Sequence, residues 1–335
     1  MPLGRRARVR PAVAAAALLL LAGARRSGPP APLRLVADVP LPGSATRFDY
    51  QSLDERRGRL YLAHMGAGDV LAFDVRARRV VAIASGLPGV TGVLAVPALD
   101  RVYASPTGLR QVAILTAALE PVARVGRIGF PDGIAYAPPA RKIYVSDESG
   151  GGELVIDAAR DRVIGTIPLG GEAGNTVYEP RSGRILVAVQ TRNELAAIDP
   201  AADRVVARIP LAGADRPHGM LVDTVRHRLF VANERSATLF VVDLATMQVT
   251  GRAPVGDDPD VLAFDPGLGR LYVAAESGNV TVLDVRGAAP VPLGTVAIPH
   301  AHSVSVSPTP HLVYLPLQSL NGRPVLRIMA PAERP

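Results

Sequence analysis

The sequence predicts an all-β fold, a seven-bladed β-propeller of four-stranded antiparallel blades. Three observations carry that prediction. A short apolar-aromatic signature recurs seven times: Arg59-Leu60-Tyr61, Arg101-Val102-Tyr103, Lys142-Ile143-Tyr144, Arg184-Ile185-Leu186, Arg228-Leu229-Phe230, Arg270-Leu271-Tyr272 and Leu312-Val313-Tyr314. The steps between third positions are 42, 41, 42, 44, 42 and 42 residues, the length of a four-stranded blade. The last copy lacks its fourth strand, and a spare strand stands ahead of the first copy.

Taken in chain order, residues 1–24 read as an export leader. Arg5, Arg6, Arg8 and Arg10 precede an apolar stretch from Pro11 to Ala22, and Ala22-Gly23-Ala24 fits the small-x-small cleavage rule. The apolar run is too short to span a bilayer comfortably; the competing reading is an uncleaved anchor. Arg5-Arg6 is a weak twin-arginine hint. Residues 25–32, rich in Pro and Gly, read as a linker. The propeller is expected over 33–330, with a tail at 331–335. These readings place the mature protein in the periplasm or outside the cell, as a monomer without a membrane span.

Within each copy the grammar repeats. A small apolar inner strand opens it, as in Gly133-Ile134-Ala135-Tyr136, and a turn rich in Pro, Asp or Gly follows, as in Asp265-Pro266-Gly267-Leu268-Gly269. The signature strand comes next. A third strand ends in aspartate at Asp74, Asp157, Asp199, Asp243 and Asp284, where the side chain can bond the backbone two residues on and set the next turn. The fourth strand is Val-rich, as in residues 204–211. A helical repeat is excluded because no 3.6-residue periodicity exists and Gly and Pro are dense. Residues 34–41 copy the fourth-strand pattern, so the N-terminal strand is expected to complete the last blade and remove an open edge. The second copy departs with Thr116 in place of aspartate, and the fourth with Leu186 in place of the aromatic.

These R-[LVI]-Y-[VL]-A pieces with aspartate-ended third strands resemble the YVTN-repeat, YncE-like seven-bladed propellers over roughly residues 33–330. The resemblance implies an exported bacterial protein and says little about activity. The absence of tryptophan disfavours a WD40 propeller.

Composition narrows the function classes. Four of the 37 basic residues lie in the leader, which has no acid, leaving 33 against 30 acidic residues. A near-neutral body whose arginines are scattered argues against nucleic acid as a partner. The absence of cysteine excludes disulfides, thiolate metal sites and C-x-x-C-H haem attachment.

In a propeller, corresponding positions form rings about the central channel. Twelve residues before each signature third position stand Asp49, Thr91, Asp132, Gly174, His218, Asp260 and His302; two residues earlier stand Arg47, Gly89, Phe130, Glu172, Arg216, Asp258 and His300. His64, Asp147, Gln190, Asn233, Glu276 and Gln318 leave the signature strands on the same side. The boldest reading is a metal site of Asp49, His218, Asp260 and His302. Around it Asp132, Asp258, Arg216, His300, His64, Asp147, Asn233 and Glu276 would contact a ligand. Mixed imidazole and carboxylate donors suit Zn, Mn or Fe, whereas carboxylates and amides alone suit Ca. The bland reading is a solvated, mixed-charge rim. Two function classes stand: a module that binds a small molecule or protein partner, and a metal-dependent hydrolase or lyase, lactonase-like, centred on the channel. No nucleophile elbow, phosphate loop or dinucleotide fingerprint is present.

Overall fold

The computed structural model describes residues 31–332. The expected leader, linker residues 25–30 and tail residues 333–335 lie outside the described residues. Among the described residues no helix is long and apolar enough to cross a membrane.

Seven separate four-stranded antiparallel sheets form the ring. Blade 5 is typical, running outward from its inner strand Pro217–Asp223 through Arg228–Asn233 and Thr238–Asp243 to Gln248–Pro254. Blade 7 runs from a short inner strand, Ser305–Ser307, through Leu312–Leu320 and Arg323–Pro331 to the N-terminal strand Leu33–Pro40. That last pairing aligns Leu33 with Pro331 and Pro40 with Val325, with a bulge at Val36. The expected closure is therefore the one the chain adopts. Arg327 fastens it by donating Nε and Nη2 to Asp38 at 2.8 and 2.7 Å.

Packing explains why a 42-residue unit needs its neighbours. Seven apolar clusters lie at the seven blade junctions; Leu41, Phe48, Leu60, Leu62, Tyr314, Leu326 and Ile328, for example, join blade 7 to blade 1. Each blade buries both faces, which a lone sheet cannot do. The signature side chains are the plugs: Tyr61, Tyr103, Tyr144, Leu186, Phe230, Tyr272 and Tyr314 are all buried. Leu186 fills the aromatic position without loss of burial.

The aspartates ending third strands act as the spacing predicts. Asp74, Asp157, Asp199, Asp243 and Asp284 each accept the backbone N–H two residues on, at 2.9–3.0 Å. Thr116 does the same work in blade 2, its Oγ1 accepting the N–H groups of Ala118 and Glu120 at 3.2 and 3.1 Å. The departure changes the acceptor and keeps the turn.

Candidate functional site at the channel mouth

The inner strands bring one ring of side chains to the channel axis. Asp49, Thr91, Asp132, His218, Asp260 and His302 are all buried, although five of the six are ionisable. Blades 6, 7 and 1 supply Asp260, His302 and Asp49, whose donor atoms all lie within 4.8 Å of one another. His302 Nε2 is buried without a hydrogen-bond partner; Asp49 Oδ1 stands 3.5 Å away, outside hydrogen-bond geometry.

His218 stands apart from this trio because both its nitrogens are engaged. Nε2 lies 3.0 Å from the Tyr50 hydroxyl and 3.3 Å from Asp260 Oδ1, and Nδ1 lies 3.3 Å from Glu234 Oε1. Burial alone would lower its pKa. The hydrogen bond and charge of Asp260, with the charges of Asp132 and Glu234, instead raise it to about 10. His218 is thus an imidazolium at neutral pH, and its partner Asp260 stays ionised despite burial. Burial pushes the Asp132 carboxyl well above the usual carboxylate range, against the pull of His218 and with the negative charges of Asp49 and Glu148 reinforcing it. For His302, burial opposes protonation, but Asp49 and Asp260 outweigh it.

The residue at the centre of this network is Tyr50, which was not among the sequence candidates. From blade 1 it reaches across the axis, accepting from Asn175 Nδ2 and donating to Asp260 Oδ1, each at 3.0 Å. Burial and then the neighbouring carboxylates hold its phenol neutral. It occurs one residue after the ring position, where the other blades have Gly92, Gly133, Asn175, Gly219, Val261 and Ser303. A Cβ on Gly219 would collide with the Asp260 carbonyl oxygen, so the neighbouring strands approach closely and one large side chain fills the middle. That lone aromatic, where the other blades have Gly, Asn, Ser or Val, was the readable signal. Below Tyr50, toward the opposite face, the channel holds a cavity of about 350 Å³ lined by Val93, Ile134, Thr176, Leu221 and Val304.

The other candidates sit elsewhere. Arg216 adjoins His218 through shared neighbours: it donates to both oxygens of Glu172 at 3.0 Å, and to Glu234 at 3.2 Å and Gln190 at 2.5 Å, the two groups that flank His218 Nδ1. Glu276 pairs with Arg47 at 2.8 Å on the rim. Asp147 spends its carboxylate on the N–H groups of Gly129, Phe130 and Gly150. Asn233 is buried and donates to the Thr238 carbonyl at 3.1 Å. His64 is buried in blade 1, stacked on Phe48 at 4.0 Å. Asp258 and His300 are exposed. His300 and His302, two residues apart, do not stand on one strand face, because the inner strand starts only at Ser305 and His300 lies in a turn at φ +67°. Arg216 and Asp258 share that left-handed backbone, at φ +55° and +52°. Strand alternation therefore fails just before the ring position.

The architecture is shared widely. It matches a chain of hydrazine synthase from Kuenenia stuttgartiensis with a TM-score of 0.72 and 17% identity, over 86% of this chain and 96% of that one. The likeness is one of fold. No family model and no curated protein matches the chain.

Proposed function

We propose that this propeller is an exported, YVTN-type binding module whose working surface is the channel mouth, and that Asp49, Asp260 and His302 hold a divalent metal there. The observation that carries the reading is the donor set itself: two carboxylates and an imidazole from three blades, with a buried His302 Nε2 that no protein group satisfies. Donors about 2.0–2.2 Å from a tetrahedral zinc ion stand about 3.3–3.6 Å apart, so a cluster whose atoms lie within 4.8 Å of one another would draw in by up to about 1 Å to hold one. Mixed oxygen and nitrogen donors favour Zn, Mn or Fe over Ca. His218, held as a cation between Asp260 and Glu234, orients Asp260 without ligating. When bound, the metal would supply a positive centre with open positions; the protein supplies the rigid ring and the acidic surroundings.

Chelator-treated protein tests this directly. Adding Zn²⁺ or Mn²⁺ should raise the melting temperature of the wild type and leave that of His302→Ala unchanged. Equal responses of the two proteins would refute the assignment. Export is checked separately: N-terminal sequencing of the protein recovered outside the cytoplasm should begin at Arg25, and a chain still carrying Pro2 would favour an anchor.

A further inference from the structure

The face opposite the channel mouth carries the turns that join first to second and third to fourth strands. In blade 1 those turns are crowded with arginine. Asp54, Arg59, Asp74 and Arg79 stand level across its four strands, a row about 14 Å wide at about 4.8 Å per strand. Beyond the row the turns add Glu55, Arg56, Arg57, Arg76 and Arg78. The two turns touch, the Val75 N–H donating to the Gly58 carbonyl at 3.1 Å. Two of the six arginines are committed, Arg59 to Asp74, and Arg57 to Asp54 and Asp100 at 2.9 and 2.8 Å. Arg56, Arg76, Arg78 and Arg79 are exposed, and their guanidinium groups make no ion pair or hydrogen bond among the described residues. Glu55 stands within the patch, and Glu120 of blade 2 borders it across a groove. Six arginines thus face three acids within residues 54–59 and 74–79. The same stretches of blades 5 and 6 hold two arginines and two aspartates each; blade 3 comes nearest, with four basic groups against two acids.

Like charges gathered this way repel one another and work against the compact state, so the cluster fits an anion that the protein meets. We propose that this corner of blade 1 docks the propeller on a bilayer of anionic phospholipid. The inference is independent of the metal reading. Guanidinium groups offer phosphate paired donors, and each cation held near an anionic leaflet adds to the attraction. The path of the chain supports a lipid surface. Strand Arg323–Pro331 returns to the end of blade 7 at which Leu312 starts, and Leu33 pairs with Pro331 there. Blade 7 abuts blade 1, so the chain enters the ring on the face of the patch. The apolar stretch from Pro11 to Ala22 stands ten residues upstream of Leu33. A leader inserted in a bilayer would therefore tether the ring by this face. Nucleic acid fits less well, because residues 54–59 and 74–79 hold no aromatic side chain on which a base could stack. Docked this way, the ring would turn its channel mouth away from the lipid.

The test is vesicle flotation at low ionic strength. The chain begins at Arg25, which keeps all seven blades and removes the apolar leader. The probes are vesicles of equal parts phosphatidylglycerol and phosphatidylcholine, vesicles of phosphatidylcholine alone, and duplex DNA. Wild type should float with the mixed vesicles and not with phosphatidylcholine, and should be released as sodium chloride rises to about 0.5 M. Arg56→Gln, Arg76→Gln, Arg78→Gln and Arg79→Gln made together should weaken binding about a hundredfold or more, at about fivefold per arginine. The same four positions changed to lysine keep the charge and should stay within about threefold of wild type; this variant also covers the case in which the glutamine variant fails to fold. Arg127→Gln with Arg235→Gln, both exposed on the mouth face, should likewise stay within about threefold. Wild type that ignores the mixed vesicles overturns the inference. So does an equal loss from the mouth-face pair, or a lysine variant as weak as the glutamine one. Tighter binding to duplex DNA than to the mixed vesicles also overturns it, by making nucleic acid the anion.

Discussion

Deleting the N-terminal strand should open the ring. A chain beginning at Gly43 lacks Leu33–Pro40 and leaves the nine-residue strand Arg323–Pro331 as a bare edge. The magnitude follows from burial. Leu33 and Leu41 are 4% and 6% exposed, and fully burying a leucine is worth about 1.5–3 kcal/mol, so these two side chains carry about 3–6 kcal/mol. The Asp38–Arg327 pair, about one-fifth exposed on each side, adds less than about 1 kcal/mol. Against a total stability of about 5–15 kcal/mol, the loss should lower the melting temperature by about 10 °C relative to a chain beginning at Arg25, at roughly 2 °C per kcal/mol for a domain of this size. The bare edge should also make the short chain associate with rising concentration. A synthetic peptide spanning residues 33–41 should restore much of the lost stability. Scanning calorimetry and light scattering on the two chains, with and without peptide, decide the matter. Equal melting temperatures with both chains monomeric would refute the reasoning.

Two further predictions concern buried charge. Glu153 is fully buried, neither carboxyl oxygen has a partner, and it occupies a third-strand position filled by Val70, Leu195, Leu239 and Val280 in other blades. Burial raises its pKa well above the usual value, so its stabilising contribution is present below the unfolded value of about 4.3 and is lost as pH rises toward the folded pKa. Glu153→Leu should therefore stabilise the protein at pH 7 by about 1–3 kcal/mol; a lower melting temperature in the variant would count against this. The contribution of His218 is present below its reference value of 6.5 and is lost as pH rises through about 10. Melting temperature should fall across that window, and less steeply in His218→Ala. At pH 7 that variant strands buried carboxylates and should lose about 3–5 kcal/mol; a loss under 1 kcal/mol would show that they are not relying on it.

The ring was legible because its causes are local and repeat. A step of about 42 residues, an aspartate two residues before a turn amide and a spare Val-rich strand each act within one blade or at one seam. Thr116 and Leu186 departed from the pattern without departing from its physics. The site was legible only by position. Counting back from the signature placed Asp49, Asp132, His218, Asp260 and His302 on one ring. It could not show that His218 is saturated while His302 is orphaned, because that depends on which side chains from other blades arrive. The positions two residues earlier misled because alternation holds only inside a strand, and Arg216, Asp258 and His300 sit in left-handed backbone before it begins. Tyr50 was missed because its meaning lies in the smaller residues at the same position of other blades.

The account turns on whether the channel mouth is a metal-centred site. Elemental analysis of untagged protein, purified without chelators, tests that most directly. The account predicts about one divalent ion per chain in wild type and in His64→Ala, whose imidazole is committed to packing in blade 1, and none in His302→Ala. Wild-type protein that carries no metal, and shows no thermal shift when Zn²⁺, Mn²⁺ or Ca²⁺ is added, would contradict it.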